Sequence, residues 1–443
     1  MTKRFDLLVK GGTCVGPSGV GPGDIGIRDG RIVSLGELTS QRAAEVLDAR
    51  GLHVLPGVID TQVHFREPGL IHKEDLATGT RAAILGGVTS VFEMPNTIPT
   101  TTTAEALADK LYRAQARASC DYAFYVGATG ENAGDLAALE ATPGCAGVKV
   151  FMGSSTGSLL VPDDAGVRAV LRATSRRVAV HAEDDFRLRE RKPLYAEPGR
   201  PQSHPVWRDP ETALRATRRL LALATECQRQ VHILHVTTAE EMDLLAAYRE
   251  MASVEVTPQH LTLEAPDCYE RLGTLAQMNP PIREAHHREA LWRAVAAGVV
   301  DVIGSDHAPH TKDEKARPYP ESPSGMTGVQ TLLPLMLDHL HAGRLSLARL
   351  VDLTSAGPAR VFGLPDKGRI AEGADADLVL VDLARRETLT NARIASRCGW
   401  TPFDGKEVTG WPVATVLRGR VVMREGEVIG EPTGQPLRFN LTR

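Results

Sequence analysis

The sequence predicts an α/β protein: a (β/α)8 TIM barrel, with a small β-sandwich beside it formed by the N- and C-terminal segments. Between about residues 55 and 365 one rhythm repeats, a short apolar run and then a longer Ala-, Leu- and Arg-rich stretch, and strands alternating with helices imply parallel pairing. The apolar runs number eight, which is the count such a barrel needs. Both ends of the chain drop this rhythm and alternate apolar and polar residues around Gly-Gly and Asp-Gly turns. The reading therefore divides the chain into 1–54, 55–365 and 366–443, with the two outer pieces combining because neither is long enough to cover a sheet alone.

In chain order, Asp6-Leu7-Leu8-Val9 and the stretch from Asp24 to Gly36 read as hairpin strands of the first piece. The barrel strands follow at 54–64, 87–94, 121–126, 147–152, 177–181, 230–236, 253–258 and 299–305. Helices are expected at 103–118, 210–227, 238–251 and 283–297, where Leu, Ala and Arg favour that state. Strands return at 376–381 and 415–422, the second leading to a turn at Glu425-Gly426. No internal repeat beyond the strand–helix rhythm and no low-complexity segment is visible.

Composition narrows the function. The chain has 443 residues, about three times the ~150 of a typical domain, so a large core is affordable. With 42% hydrophobic and 24% charged residues it reads as a globular enzyme, not as a disordered, fibrous or disulfide-stapled chain. Lys plus Arg number 51 against 55 Asp plus Glu, a net charge of -4, so no basic surplus favours nucleic acid or an anionic membrane. A small-molecule substrate is the expectation. The first residues are basic without a following apolar core, no run of ~18 apolar residues occurs, and the six Cys are scattered with no Cys-x-x-Cys pair. The expected setting is the reducing cytoplasm.

In such barrels the carboxyl ends of the strands build the active site. Those ends carry Gln62, His64 and Arg66, then Asn96, Lys149, His181, His235, and finally Asp306 and His310. A lone His at a strand end is usually a hydrogen-bonded structural residue, but three His and one Asp converging on one rim point to a divalent metal. Asp306 is then the candidate general base and acid, taking a proton from the attacking water and returning it to a leaving nitrogen. Lys149 conflicts with a cation unless it points away, pairs with a carboxylate or is chemically changed. Arg66, Asn96 and His310 suit the anchoring of an anionic substrate, although Arg66 has a bland alternative in a salt bridge to Glu67 or Asp75. Asn279, before two prolines, reads as a turn residue. The long segment 311–328 reads as either a lid or a solvated excursion.

Several motifs occur in order: Pro56-Gly57-Val58-Ile59-Asp60, His64-Phe65-Arg66-Glu67-Pro68-Gly69, Met94-Pro95-Asn96-Thr97, Asn279-Pro280-Pro281 and Ser305-Asp306-His307-Ala308-Pro309-His310. Together with Gly373-Ala374-Asp375-Ala376-Asp377-Leu378-Val379 they resemble the dihydroorotase family of cyclic amidohydrolases, and the likeness covers nearly the whole chain. The resemblance implies reversible hydrolysis of L-dihydroorotate to N-carbamoyl-L-aspartate in pyrimidine biosynthesis, at a site with one or two Zn2+. It implies that Lys149, in Gly147-Val148-Lys149-Val150-Phe151-Met152-Gly153-Ser154-Ser155-Thr156-Gly157, is carboxylated and joins His64, His181, His235 and Asp306 as a metal ligand. It further implies that Arg66, Asn96 and His310 hold the substrate carboxylate and that Asn279 touches the ring. A homodimer and an association with aspartate transcarbamoylase are its expectations for partners.

One departure stands out. The family has His-x-His after strand one, and here the first position is Gln62, a poorer zinc ligand than imidazole. The metal position served by Gln62, His64 and Asp306 is therefore expected to be the weaker, beside one held by Lys149, His181 and His235. Two rivals remain open: a hydantoinase, dihydropyrimidinase or allantoinase, whose substrates lack the ring carboxylate, and a non-catalytic dihydroorotase-like partner of a transcarbamoylase.

Overall fold

The computed structural model describes residues 5–17, 19–39, 43–153 and 159–440. The end of the Lys149 motif, Ser154 to Gly157, lies outside the described residues.

Two sheets account for the strands. The N-terminal strands β1 (Phe5–Gly16), β2 (Gly19–Arg28), β3 (Arg31–Gly36), β4 (Ala43–Asp48) and β5 (His53–Pro56) belong to the first. The barrel strands are β6 (Val58–Val63), β7 (Val88–Glu93), β8 (Asp121–Gly127), β9 (Cys145–Phe151), β10 (Val178–His181), β11 (Val231–Ile233), β12 (Ala252–Val256) and β13 (Val302–Ile303). The C-terminal strands β14 (Leu378–Thr388), β15 (Glu407–Leu417), β16 (Arg420–Arg424) and β17 (Glu427–Val428) return to the first sheet.

All barrel strands pair in parallel in sequence order, β6 through β13. Closure comes just beyond β13, where the His64 N–H donates to the His307 carbonyl at 2.7 Å. Alternation along the strands sorts the side chains. Val148, Val150, Val178, Val180 and Val254 join the large cluster shared with the helices, whereas Phe92, Ala123, Tyr125, Ala146 and Ala179 form a separate cluster of opposite facing. Lys149, between Val148 and Val150, thereby faces into the barrel.

The termini combine into one mixed nine-stranded sheet beside the barrel, ordered β17-β16-β15-β14-β5-β1-β2-β3 with β4 alongside β1. Residues from both ends share its core, among them Leu7, Val9, Ile25, Ile27, Val54, Leu378, Leu380 and Val416.

The structure corrects several strand limits. The expected strand 54–64 is two strands in two sheets, broken at Gly57: β5 pairs with β1 and β14, and β6 with β7. A Cβ at Gly57 would stand 2.2 Å from Thr89 Oγ1, so only glycine lets the chain pass there. Strand seven ends at Val256, because Pro258 is the first residue of a short helix, Pro258–Thr262. The helices expected at 103–118 and 238–251 run Ala104–Ala114 and Ala239–Ala246. Their expected first residues, Thr103 and Thr238, are instead N-caps that accept from the Ala106 and Glu241 N–H groups at 3.2 and 3.1 Å.

Candidate active site

All ten residues singled out at the strand ends line one cavity of about 210 Å³: Gln62, His64, Arg66, Asn96, Lys149, His181, His235, Asn279, Asp306 and His310. Phe151, Ala308, Ser324 and Gly325 complete its wall. Three of the ten, Arg66, His235 and Asp306, hold left-handed backbone with φ of 64, 39 and 44°. Non-glycine residues adopt that conformation at a cost, and it turns each side chain out of its strand direction toward the cavity.

Two pairs of basic atoms face each other. His181 Nδ1 lies 3.1 Å from His235 Nε2, and His64 Nε2 lies 3.1 Å from Asp306 Oδ1. Burial keeps all three imidazoles below their ordinary pKa, and hence neutral near pH 7. His181 Nε2–H donates to Glu183 Oε2 at 2.7 Å, which leaves His181 Nδ1 as a lone pair. His64 stands between two acceptors, Asn96 Oδ1 2.7 Å from Nδ1 and Asp306 Oδ1 3.1 Å from Nε2. Burial works against Glu183, yet Arg208 and His181 hold its carboxyl well below the usual range. This carboxylate–histidine arrangement is the one that orients a metal ligand.

The test of a metal divides the cavity. The 3.1 Å separation of His181 Nδ1 and His235 Nε2 is less than twice the ~2.0–2.1 Å of an imidazole–zinc bond, so one ion can meet both. His235 Nδ1 is buried without a partner among the described residues. Among the described residues no three His, Cys, Asp or Glu side chains form a metal-holding group; Lys149 is a further side chain of the same cavity wall as His181 and His235. Lys149 has no hydrogen bond or ion pair among the described residues, its Nζ lies 4.4 Å from the Phe151 ring centre, and burial lowers its pKa from 10.5 to about 7. A good fraction of it is the free amine near neutral pH. On the other side Gln62 gives its hydrogen, not its oxygen: Nε2 donates to Asp306 Oδ1 at 3.0 Å, and Oε1 is buried without a partner.

Arg66 pairs with neither of its neighbours. Glu67 is taken by Arg117 at 2.7 Å and Asp75 by Arg397. The Arg66 guanidinium has no ion pair among the described residues; Nε donates to the Pro309 carbonyl at 3.1 Å and Nη2 stands 3.2 Å from His310 Nε2. Asn279 accepts from His204 Nε2 at 3.0 Å, so it is positioned rather than merely a turn. Segment 311–328 is not a wholly solvated excursion, and its Ser324 and Gly325 wall the cavity. Its inner side is buried, and the Lys315 ammonium donates to the carbonyls of Gln277, Pro323 and Gly325 at 3.0, 2.9 and 3.1 Å.

Sequence reasoning passed over Glu183 and Arg208. Glu183 carried a usable signal, since it stands two residues past His181, just beyond the end of β10. Ser324, Gly325 and Lys73 carried none, because loops deliver them. The C-terminal piece also reaches the catalytic end: Trp400 Nε1 donates to the His310 carbonyl at 2.7 Å.

Comparison with known proteins covers nearly the whole chain. Residues 207–422 match the model of the amidohydrolase family and residues 51–160 that of a dihydro-orotase-like family. A dihydroorotase of Halobacterium salinarum is 41% identical over 387 residues, 87% of this chain and 89% of that protein. An allantoinase of Rubrobacter xylanophilus is 39% identical over 451 residues, 98% of each. Among solved structures, the L-hydantoinase (dihydropyrimidinase) of Arthrobacter aurescens superposes with a TM-score of 0.93 at 30% identity, over 98% of this chain and 100% of that one. No helix among the described residues is long and apolar enough to cross a membrane.

Proposed function

The chain belongs to the amidohydrolase family, in its dihydroorotase-like branch, and from that premise we propose that it is a metal-dependent dihydroorotase of pyrimidine biosynthesis in the cytoplasm. It is a hydrolase of cyclic amides; the choice of ring is the proposal. The observation that carries it is the Arg66 guanidinium, buried in the cavity with no ion pair among the described residues and beside His310. A buried unpaired cation is costly, and a substrate carboxylate removes that cost. Dihydroorotate has such a group, whereas hydantoin, dihydrouracil and allantoin have none.

One divalent ion, taken as zinc, would be held by His181 Nδ1, His235 Nε2 and a carboxylated Lys149. The neutral amine of Lys149 would add to carbon dioxide, forming an N–C bond and releasing one proton, to give an anionic carbamate. When bound, the ion supplies Lewis acidity toward the ring carbonyl and a nucleophile at neutral pH. The position at Gln62, His64 and Asp306 is the weaker, because the Gln62 amide already occupies the Asp306 oxygen.

The chain's own residues do the rest. Arg66, Asn96 and His310 fix the ring by its carboxylate, and Asn279 lies against its far side. Asp306 accepts the proton of water as oxygen adds to the ring amide carbon. It then delivers that proton to the ring nitrogen as the C–N bond breaks, giving N-carbamoyl-L-aspartate.

Ultraviolet-monitored hydrolysis of L-dihydroorotate, allantoin, hydantoin and dihydrouracil, with zinc and bicarbonate supplied, tests this reading. Turnover of dihydroorotate above the others is expected, with Arg66→Ala lowering its kcat/KM by about 100-fold or more. Preference for a ring without a carboxylate, untouched by Arg66→Ala, assigns the chain to the allantoinase or hydantoinase reading. Folded protein inert on all four points to the non-catalytic partner of a transcarbamoylase.

A further inference from the structure

Lys73 lies in the loop after Arg66, and its Nζ is 3.1 Å from His310 Nδ1 and 3.1 Å from Glu314 Oε1. Burial lowers its pKa from the ordinary 10.5. Against that stands Glu314: burial opposes its ionisation, but the Thr311 N–H, Lys73 and His72 hold its carboxyl down to about 2. Lys73 thus faces a carboxylate and remains an ammonium.

An ammonium has hydrogens only to give. His310 Nδ1 must therefore offer a lone pair to it, and the neutral ring carries its hydrogen on Nε2. That hydrogen finds an acceptor in the Ser324 carbonyl, 3.0 Å away. The other tautomer turns N–H against ammonium at one edge of the ring and lone pair against carbonyl at the other, so two of the three hydrogen-bond contacts decide against it, and Glu314 Oε2, 3.8 Å from Nδ1, is beyond hydrogen-bond reach. The third contact then becomes informative. His310 Nε2 stands 3.2 Å from Arg66 Nη2, donor beside donor, an arrangement that a shared anionic acceptor stabilises.

We propose that Lys73 is a positioning residue: by occupying His310 Nδ1 it makes Nε2 a donor, whose hydrogen a ring carboxylate shares with the Ser324 carbonyl while Arg66 supplies the second donor. The tautomer stands on the contacts alone; the identity of the anion rests on the dihydroorotase reading.

Protein labelled with 15N-histidine tests the first part through two-bond 1H–15N correlations, with His310 identified by its loss in His310→Gln. Expected are an unprotonated Nδ1 and a protonated Nε2 in the wild type, kept in Lys73→Arg and lost or mixed in Lys73→Met. Steady-state kinetics on dihydroorotate test the second. Lys73→Met should raise KM about tenfold with kcat within about twofold, and Lys73→Arg should recover most of the loss. A wild-type His310 protonated on Nδ1, or a Lys73→Met protein with its ring state and KM unchanged, overturns the assignment. Wild-type protein that ignores dihydroorotate counts against the substrate reading alone, and the spectrum then decides the role of Lys73.

Discussion

The two ends of the barrel bury charge in opposite ways. At the end away from the cavity, Lys367 lies between Asp121 at 2.6 Å, Asp375 at 3.1 Å and Asp377, and Arg418 bonds Asp121. Asp121 opens β8 and Asp377 immediately precedes β14, so this network ties barrel to terminal sheet. Its remaining acceptors are filled by backbone, Arg418 N–H on Asp377 at 2.7 Å and Gln435 N–H on Asp121 at 2.8 Å. Among the described residues at the cavity end, Arg66 and Lys149 have no ion pair, and His235 Nδ1 and Gln62 Oε1 have no partner. Buried charge that is fully matched serves the fold; buried charge left unmatched around a cavity awaits a ligand.

The largest effect that this contrast predicts lies at the matched end. Burial notwithstanding, the three aspartates hold Lys367 well above its ordinary pKa. Lys367→Met leaves them facing one another with one cation fewer, and removing a partner from a buried pair costs about 3–5 kcal/mol. Chemical denaturation should show a loss of that size, while the folded fraction keeps its KM. A loss below about 1 kcal/mol would mean that the network is solvated and that the contrast fails.

The same contrast explains what was legible in the sequence. Strand ends were legible where an apolar run stops at a polar residue, as at His64 and His181, and Lys149 stands out as the one charged residue inside its apolar run. Limits were not, where the apolar run outlasts the strand: β11 stops at Ile233 and β13 at Ile303, and the left-handed turns at His235 and Asp306 follow. Nor was the change of sheet at Gly57 visible, since Val54 and Val58 are equally apolar on either side of it. The cavity wall was legible only as far as it is local. Lys73, Ser324 and Trp400 reach His310 through tertiary packing, for which no periodicity exists in the chain.

The second prediction reverses the sign of the first. Lys149→Met removes a buried amine that has no partner among the described residues and puts apolar volume in its place. In metal-free, bicarbonate-free buffer the variant should be more stable than wild type, by about 2 kcal/mol, and inactive. Differential scanning calorimetry reads the first and dihydroorotate turnover the second. A variant destabilised as Lys367→Met is would place Lys149 among the groups that hold the fold.

The smallest effect on stability, about 0.5–1 kcal/mol, is expected at Gln62, and there the informative change is in metal content. Gln62 Nε2 and His64 Nε2 both address the same oxygen of Asp306, at 3.0 and 3.1 Å. The amide therefore stands in the structure as a hydrogen-bond donor to a carboxylate, a role that a metal ligand cannot fill at the same oxygen without giving the bond up. Imidazole at this position offers a lone pair in place of that hydrogen, and with His64 and Asp306 makes three donors. Zinc that survives dialysis against chelator should rise from one equivalent in the wild type to two in Gln62→His, and cobalt-substituted protein should show the second ion by its d–d absorption. Two tightly held equivalents in the wild type would mean that Gln62 turns its oxygen to a metal after all, and that its bond to Asp306 belongs to the metal-free state alone.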